Sequence, residues 1–132
     1  MEPLLGYVFL FVPDVAAALE YYQGAFGLRR RYLDDSGMYG ELETGATVFA
    51  FAQDDFAQTG NGIRHRRNNA EDDPPGISFT LVTNDLDAAW ARAVSFGVDV
   101  VSPPATKPWG QRVGYLRDPQ GIIVELATPV EV

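Results

Sequence analysis

The residues able to do chemistry are few, and the missing types narrow the field first. The 132 residues include no cysteine, which removes disulfide frameworks, thiolate metal sites and cysteine nucleophiles together. The one histidine, His65, lies in the polar run Arg64-His65-Arg66-Arg67, so the two or more imidazoles of a usual zinc or iron site cannot come from one chain. No Gly-x-Ser-x-Gly elbow, P-loop or His-Glu-x-x-His run is present, and Gly60-Asn61-Gly62 lacks the strand and helix of a phosphate cradle. What remains is a carboxylate in an unusual place. Glu125 stands between Val124 and Leu126 in an aliphatic run. It is either an edge residue pointing to water or a buried acid serving as metal ligand, base or anchor for a cation. Arg112 and Arg117 can hold an anionic group, although Arg117 beside Asp118 reads as a local turn pair. Tyr7 with Glu125 would make a metal-free acid and base.

A second chemistry is stacking. Tyr7, Phe9 and Phe11 alternate along one stretch and Phe49 and Phe51 along another. Trp109 follows Pro103-Pro104, Lys107 and Pro108, and Tyr115 comes soon after. Aromatic rings at strand spacing most often fill a core, whereas a loop tryptophan is more often a lid or contact residue. Ten Lys and Arg against eighteen Asp and Glu give a formal charge of -8, a field that repels nucleic acid and anionic membranes and attracts cations. Arg29-Arg30-Arg31 and the Arg64 to Arg67 run are each followed by acids and read as solvated loop charge. The expected partner is therefore a small molecule, with no nucleic acid and no membrane.

The elements that must position these groups come as a repeat. With 46% hydrophobic and 21% charged residues, the composition is that of one ordinary globular domain. Tyr7 to Asp14 lies over Ser78 to Asp85 at an offset of 71 residues. Each copy is a strand ending at an aspartate placed to cap a helix, and Gly27 and Gly97 stand where a left-handed stop is needed. The helical periodicity runs through Val15, Ala18, Leu19, Tyr22 and Phe26 in one copy and Leu86, Ala89, Trp90 and Ala93 in the other. Short strands follow each helix, so the order is β-α-β-β-β twice, an α+β class with two tandem modules. Module 1 covers about residues 1–57, a linker loop about 58–76 and module 2 about 77–132 of a single domain. The apolar run Leu4 to Val12 has Glu2 before it and Pro13-Asp14 after it. It reads as a buried strand of a cytoplasmic protein, since a membrane span needs about 20 residues.

Strand side chains alternate faces. Val8, Leu10 and Val12 suit helix packing, which leaves Tyr7, Phe9 and Phe11 for the other side. Ile122, Val124 and Leu126 likewise leave Ile123 and Glu125 opposite the helix.

These modules, and above all the run Pro108-Trp109-Gly110-Gln111-Arg112 through Arg117-Asp118-Pro119-Gln120-Gly121 to Glu125-Leu126, resemble the vicinal oxygen chelate superfamily. That superfamily includes glyoxalases, extradiol dioxygenases, fosfomycin-resistance enzymes and bleomycin-resistance proteins. The resemblance implies curved mixed sheets around a ligand cavity and, in many members, a homodimer. It also implies four metal-ligand positions in the enzymes, which fall here on Tyr7, Phe49, Ser78 and Glu125. Glu125 alone keeps a ligand of that kind, so no metal and no cofactor are expected, with a divalent metal and a glyoxalase or dioxygenase activity as the alternative. The tail resembles the bleomycin-resistance-like branch, which implies sequestration of an antibiotic or similar aromatic or cationic molecule without chemistry. The ligand-binding residues implied are Tyr7, Phe9, Phe49, Phe51 and Ser78 on the strands of the concave side. Trp109, Arg112, Tyr115 and Glu125 complete the set.

Overall fold

A computed structural model describes residues 1–130; Glu131 and Val132, at the end of the expected second module, lie outside the described residues. The chain divides into two compact units, Met1–Arg67 and Asn68–Val132. Unit 1 runs β1 (Tyr7–Val12), α1 (Val15–Phe26), β2 (Arg29–Leu33), β3 (Tyr39–Glu43), β4 (Val48–Gln53) and α2 (Asp54–Thr59). Unit 2 runs β5 (Ser78–Val82), α3 (Leu86–Phe96), β6 (Asp99–Thr106), β7 (Arg112–Arg117) and β8 (Ile123–Ala127). Each has one four-stranded sheet, ordered β1-β4-β3-β2 and β5-β8-β7-β6. The sheets are mixed: the strand before the helix pairs parallel with the last strand of its unit, and the other pairs are antiparallel. This is the α+β arrangement of two βαβββ modules.

The two helices begin and end as their sequences require. Asp14 accepts a hydrogen bond from the Ala17 amide at 3.0 Å and Asp85 from that of Ala88 at 3.1 Å, each satisfying a first-turn donor. Gly27 and Gly97 end the helices at φ 72° and 102°, a conformation that costs glycine no Cβ clash.

Each helix covers one face of its sheet. In unit 1, Tyr22 on α1 is only 2% exposed, and its ring centroid lies 5.1 Å from that of Phe49 and 5.6 Å from that of Phe51. A Cβ on Gly40 of β3 would lie 2.7 Å from Leu19, so the helix rests on bare backbone there. In unit 2, Trp90 of α3 takes the equivalent place, and a Cβ on Gly114 of β7 would lie 2.5 Å from its ring. The other face of each sheet, turned away from α1 or α3, is its open face.

These contacts correct the expectation that Phe49 and Phe51 line the concave side. β1 and β4 pair in parallel with Val8 beside Phe49 and Leu10 beside Phe51, so both rings belong with the helix-facing set. Residues 48 to 52 are buried without a break, and such a run carries no alternation from which its faces can be read. The division between the units at Arg67 and Asn68 falls inside the expected linker of about 58–76, whose first two residues, Gln58 and Thr59, close the short helix α2. In unit 2 the Arg117 guanidinium donates to the Gly121 carbonyl at 2.9 Å and to that of Asp72, which ties the second part of the linker to the β7–β8 turn.

Candidate ligand-binding site

The open face of unit 2 is laid out by register. Ser78 lies beside Ile123 and Thr80 beside Glu125 across the parallel pair, and Glu125 lies beside Tyr115 across the antiparallel one. One row across three strands therefore reads Thr80, Glu125, Tyr115. Glu125 is partly buried, and its Oε2 accepts hydrogen bonds from Ser78 Oγ and Thr80 Oγ1, both at 2.9 Å. Two hydroxyl donors on one oxygen fix the rotamer of the carboxylate. They leave Oε1 with no hydrogen-bond partner among the described residues, and it is not closed off from solvent.

Beside it, the partly buried ring of Tyr115 carries the ammonium of Lys107, whose Nζ is 4.8 Å from the ring centroid. That distance lies within cation–π range. Lys107 begins the tight turn between β6 and β7: its amide donates to the Gln111 carbonyl at 2.8 Å and its carbonyl accepts from Gly110 at 2.9 Å. Gly110 has φ 93°, a turn geometry that a side chain there would strain. Trp109 in the same turn is 61% exposed, and its indole N–H donates to Gln111 Oε1 at 2.9 Å.

Arg112 does not join this face. It shares the helix side of β7 with Gly114, and its Nη1 lies 3.3 Å from Asp87 in the first turn of α3. The expectation that Arg112 contacts ligand beside Glu125 is corrected accordingly: alternation along β7 sends Tyr115 to one side and Arg112 to the other.

In unit 1 the matching open face is built from Tyr7, Phe9 and Phe11 on β1, Val48, Ala50 and Ala52 on β4, and Tyr39, Glu41 and Glu43 on β3. Tyr7 and Phe9 stand where expected, both about half exposed, with ring centroids 6.1 Å apart and Tyr39 5.9 Å beyond Phe9. Glu41 was not foreseen. Its side chain is largely covered, accepts from the Tyr39 hydroxyl, and lies 3.0 Å from Arg31 Nε. Burial first, then the hydrogen bond to Glu41, push the Tyr39 phenol well above its ordinary value. Strict alternation in Tyr39-Gly40-Glu41-Leu42-Glu43 was the signal that could have found Glu41.

A second unforeseen cluster closes the same face near α2. Asp54 is 2% exposed and lies 2.8 Å from His65 Nε2, while the imidazole sits 4.7 Å from the Phe11 ring. Arg67 reaches Asp54 at 3.5 Å and also pairs with Asp55. Arg31 and Arg67 are thus ion-paired rather than simply solvated, and His65 is anchored rather than adrift in a loop. The Arg67 hydrogen bond holds the exposed Asp55 carboxyl below its usual value.

Comparison with known proteins places the fold. Residues 4–126 match the model of the glyoxalase/bleomycin resistance protein/dioxygenase superfamily. The chain belongs to that superfamily. An uncharacterized protein of Mycobacterium bovis is 30% identical over 135 residues, spanning 98% of this chain and 86% of the relative. A glyoxalase-related enzyme from Fulvimarina pelagi superposes with TM-score 0.79 at 19% identity, covering 96% of this chain and 88% of that one. A glyoxalase/bleomycin resistance protein/dioxygenase from Nocardioides gives 0.75 at 20% identity, covering 99% and 86%. The structural likenesses, at these identities, speak for the fold alone.

Superfamily membership raises the question of a metal, and the donor set answers it. In the observed register Val48 corresponds to Ile123, so Ala50 rather than Phe49 is the counterpart of Glu125. The four implied ligand positions thus hold a phenol (Tyr7), a methyl (Ala50), a hydroxyl (Ser78) and one carboxylate (Glu125). Divalent ions need several imidazole, thiolate or carboxylate donors. Among the described residues no three His, Cys, Asp or Glu stand together as a metal would require. The residues do not fit the superfamily's metal.

Proposed function

We propose that this superfamily member binds a small organic cation with a planar, apolar body, without a metal and without transforming it, in the manner of the bleomycin-resistance-like branch. One observation carries the reading: Glu125 is held by Ser78 and Thr80 through one oxygen while the other is free to accept, on a sheet face it shares with Tyr115. A carboxylate fixed in advance loses little rotamer freedom when a ligand ammonium or guanidinium arrives, which favours affinity. The net charge of -8 adds long-range attraction for the same class of ligand. In the same unit as Glu125, Trp109, 61% exposed, offers a ring for stacking. We include a homodimer and a cytoplasmic setting in the reading; no helix among the described residues is long and apolar enough to cross a membrane.

The test is tryptophan fluorescence titration with an aromatic cation, ethidium for example, before and after exhaustive chelation, with metal analysis of the same preparation. Equal dissociation constants in both arms are expected. Binding that disappears with chelation, or one equivalent of divalent metal lost in Glu125→Gln, overturns the reading in favour of a metal-dependent enzyme. Light scattering on the same sample reads the oligomeric state.

A further inference from the structure

The ammonium over Tyr115 is the chain's own. Lys107 is the single lysine in the sequence, and its Nζ has the Tyr115 ring at 4.8 Å and no carboxylate within ion-pairing distance among the described residues. A lysine in an acidic protein ordinarily finds a carboxylate or full hydration. This one is partly buried, at the head of a tight turn whose two backbone hydrogen bonds fix where its side chain starts. The ring it covers is the cross-strand neighbour of Glu125, and side chains opposite each other on one face of an antiparallel pair have Cβ atoms about 5 Å apart. The ring that neighbours Glu125 across the strands therefore already carries a cation.

We propose that Tyr115 and Glu125 form a seat for an ammonium or guanidinium group, and that Lys107 is its tethered competitor, displaced when an external cation binds. The proposal rests on the cation-binding reading above and adds to it the residue that sets the affinity threshold. A tethered ammonium competes most strongly with small, well-hydrated cations. It yields to ligands that add a stacked ring to the charge, because only those recover more than the lost Lys107 contact. Lys107 thereby acts as a specificity determinant: it keeps simple inorganic cations and small amines off the seat and admits aromatic cations.

Two measurements test this, with benzyltrimethylammonium as the probe. In the first, Lys107→Met removes the competitor while keeping the length and apolar stem, and binding is followed by calorimetry. The probe is expected to bind Lys107→Met roughly ten-fold more tightly than the wild type, a change of about 1.4 kcal/mol. Adding Tyr115→Leu to both the wild type and the Lys107→Met variant should abolish the difference between them. In the second, the protein is reductively methylated with labelled formaldehyde, so that the Lys107 dimethylammonium gives the one lysine signal. That signal is expected upfield, within the ring current of Tyr115, and to move to the free-lysine position as the probe saturates the site. Unchanged or weaker binding by Lys107→Met, or a Lys107 signal that stays put at saturation, overturns the displacement. If the probe binds wild type and Lys107→Met alike and Glu125→Gln weakens both, the cation-binding reading stands while the competitor role falls. If no variant binds it, both fall.

Discussion

The two units place different chemistry on one backbone plan. Across the middle of the open face, unit 1 reads Phe9, Ala50, Glu41 where unit 2 reads Thr80, Glu125, Tyr115. Each row has one carboxylate and one aromatic ring, but on different strands of the plan. In unit 1 the carboxylate sits one strand nearer the β2 edge, where Arg31 and Tyr39 occupy it. In unit 2 it sits on the inner strand and meets only two hydroxyls, on one of its oxygens. A carboxylate neutralised by an arginine holds a sheet together, and one left half-satisfied beside a ring is available to a ligand. The helix sides differ in the opposite sense. α1 buries Val15, Leu19, Tyr22 and Ala25, whereas α3 buries Leu86 and Ala93, so unit 1 has the firmer core and unit 2 the face with the half-satisfied carboxylate.

The contrast can be broken first at the helix sides. Tyr22→Ala is expected to cost about 3–5 kcal/mol, the range for removing a large buried aromatic side chain. Trp90→Ala, whose ring is partly in water, should cost on the order of 2 kcal/mol. Denaturant-dependent hydrogen exchange of the β4 and β8 amides reads the two losses separately. Equal losses would remove the claim that unit 1 has the firmer core.

A smaller effect separates the two carboxylates. Glu125→Gln should weaken an aromatic cation by roughly ten-fold, about 1.4 kcal/mol, with little change in melting temperature. Glu41→Gln should leave that affinity alone and lower stability slightly through the Arg31 pair. Calorimetric titration and thermal melts of both variants decide it, and an affinity loss confined to Glu41→Gln would reverse the assignment.

The smallest expected effect is a pH dependence confined to unit 1. The Tyr39 phenol is raised by burial and by Glu41, so the folded state favours its neutral form. Its contribution to stability is whole below the unfolded phenol's value of about 10 and declines as pH rises from there toward the folded value. Tyr39→Phe should flatten that alkaline decline, and absorbance of phenolate at high pH should show one fewer late-titrating tyrosine than in the wild type, the raised Tyr32 remaining in both.

Much of this was legible from residue order, and the failures have specific causes. The Asp14 and Asp85 caps, the Gly27 and Gly97 stops and the alternation of Tyr7 with Val8 are local properties, and the structure reproduces them. Glu125 and Tyr115 came out on one face because β7 and β8 are short and their polar residues mark the phase. Phe49 and Phe51 came out on the wrong face because an unbroken apolar strand has no phase to read. Arg112 was misplaced because its partner, Asp87, lies 25 residues away in α3. His65 looked like loop charge because the group that holds it, Asp54, is buried only once α2 forms.

By itself the sequence determined the repeat, the capped helices, the single histidine and lack of cysteine, and the presence of one carboxylate among aliphatic residues, since all of these depend on residue type and near neighbours. Tertiary structure decided which oxygen of Glu125 is held, that Ala50 is its counterpart, and that Lys107 already covers Tyr115. Each of those depends on the register between strands distant in sequence, and a shift of one residue in that register sends a side chain to the other face of the sheet.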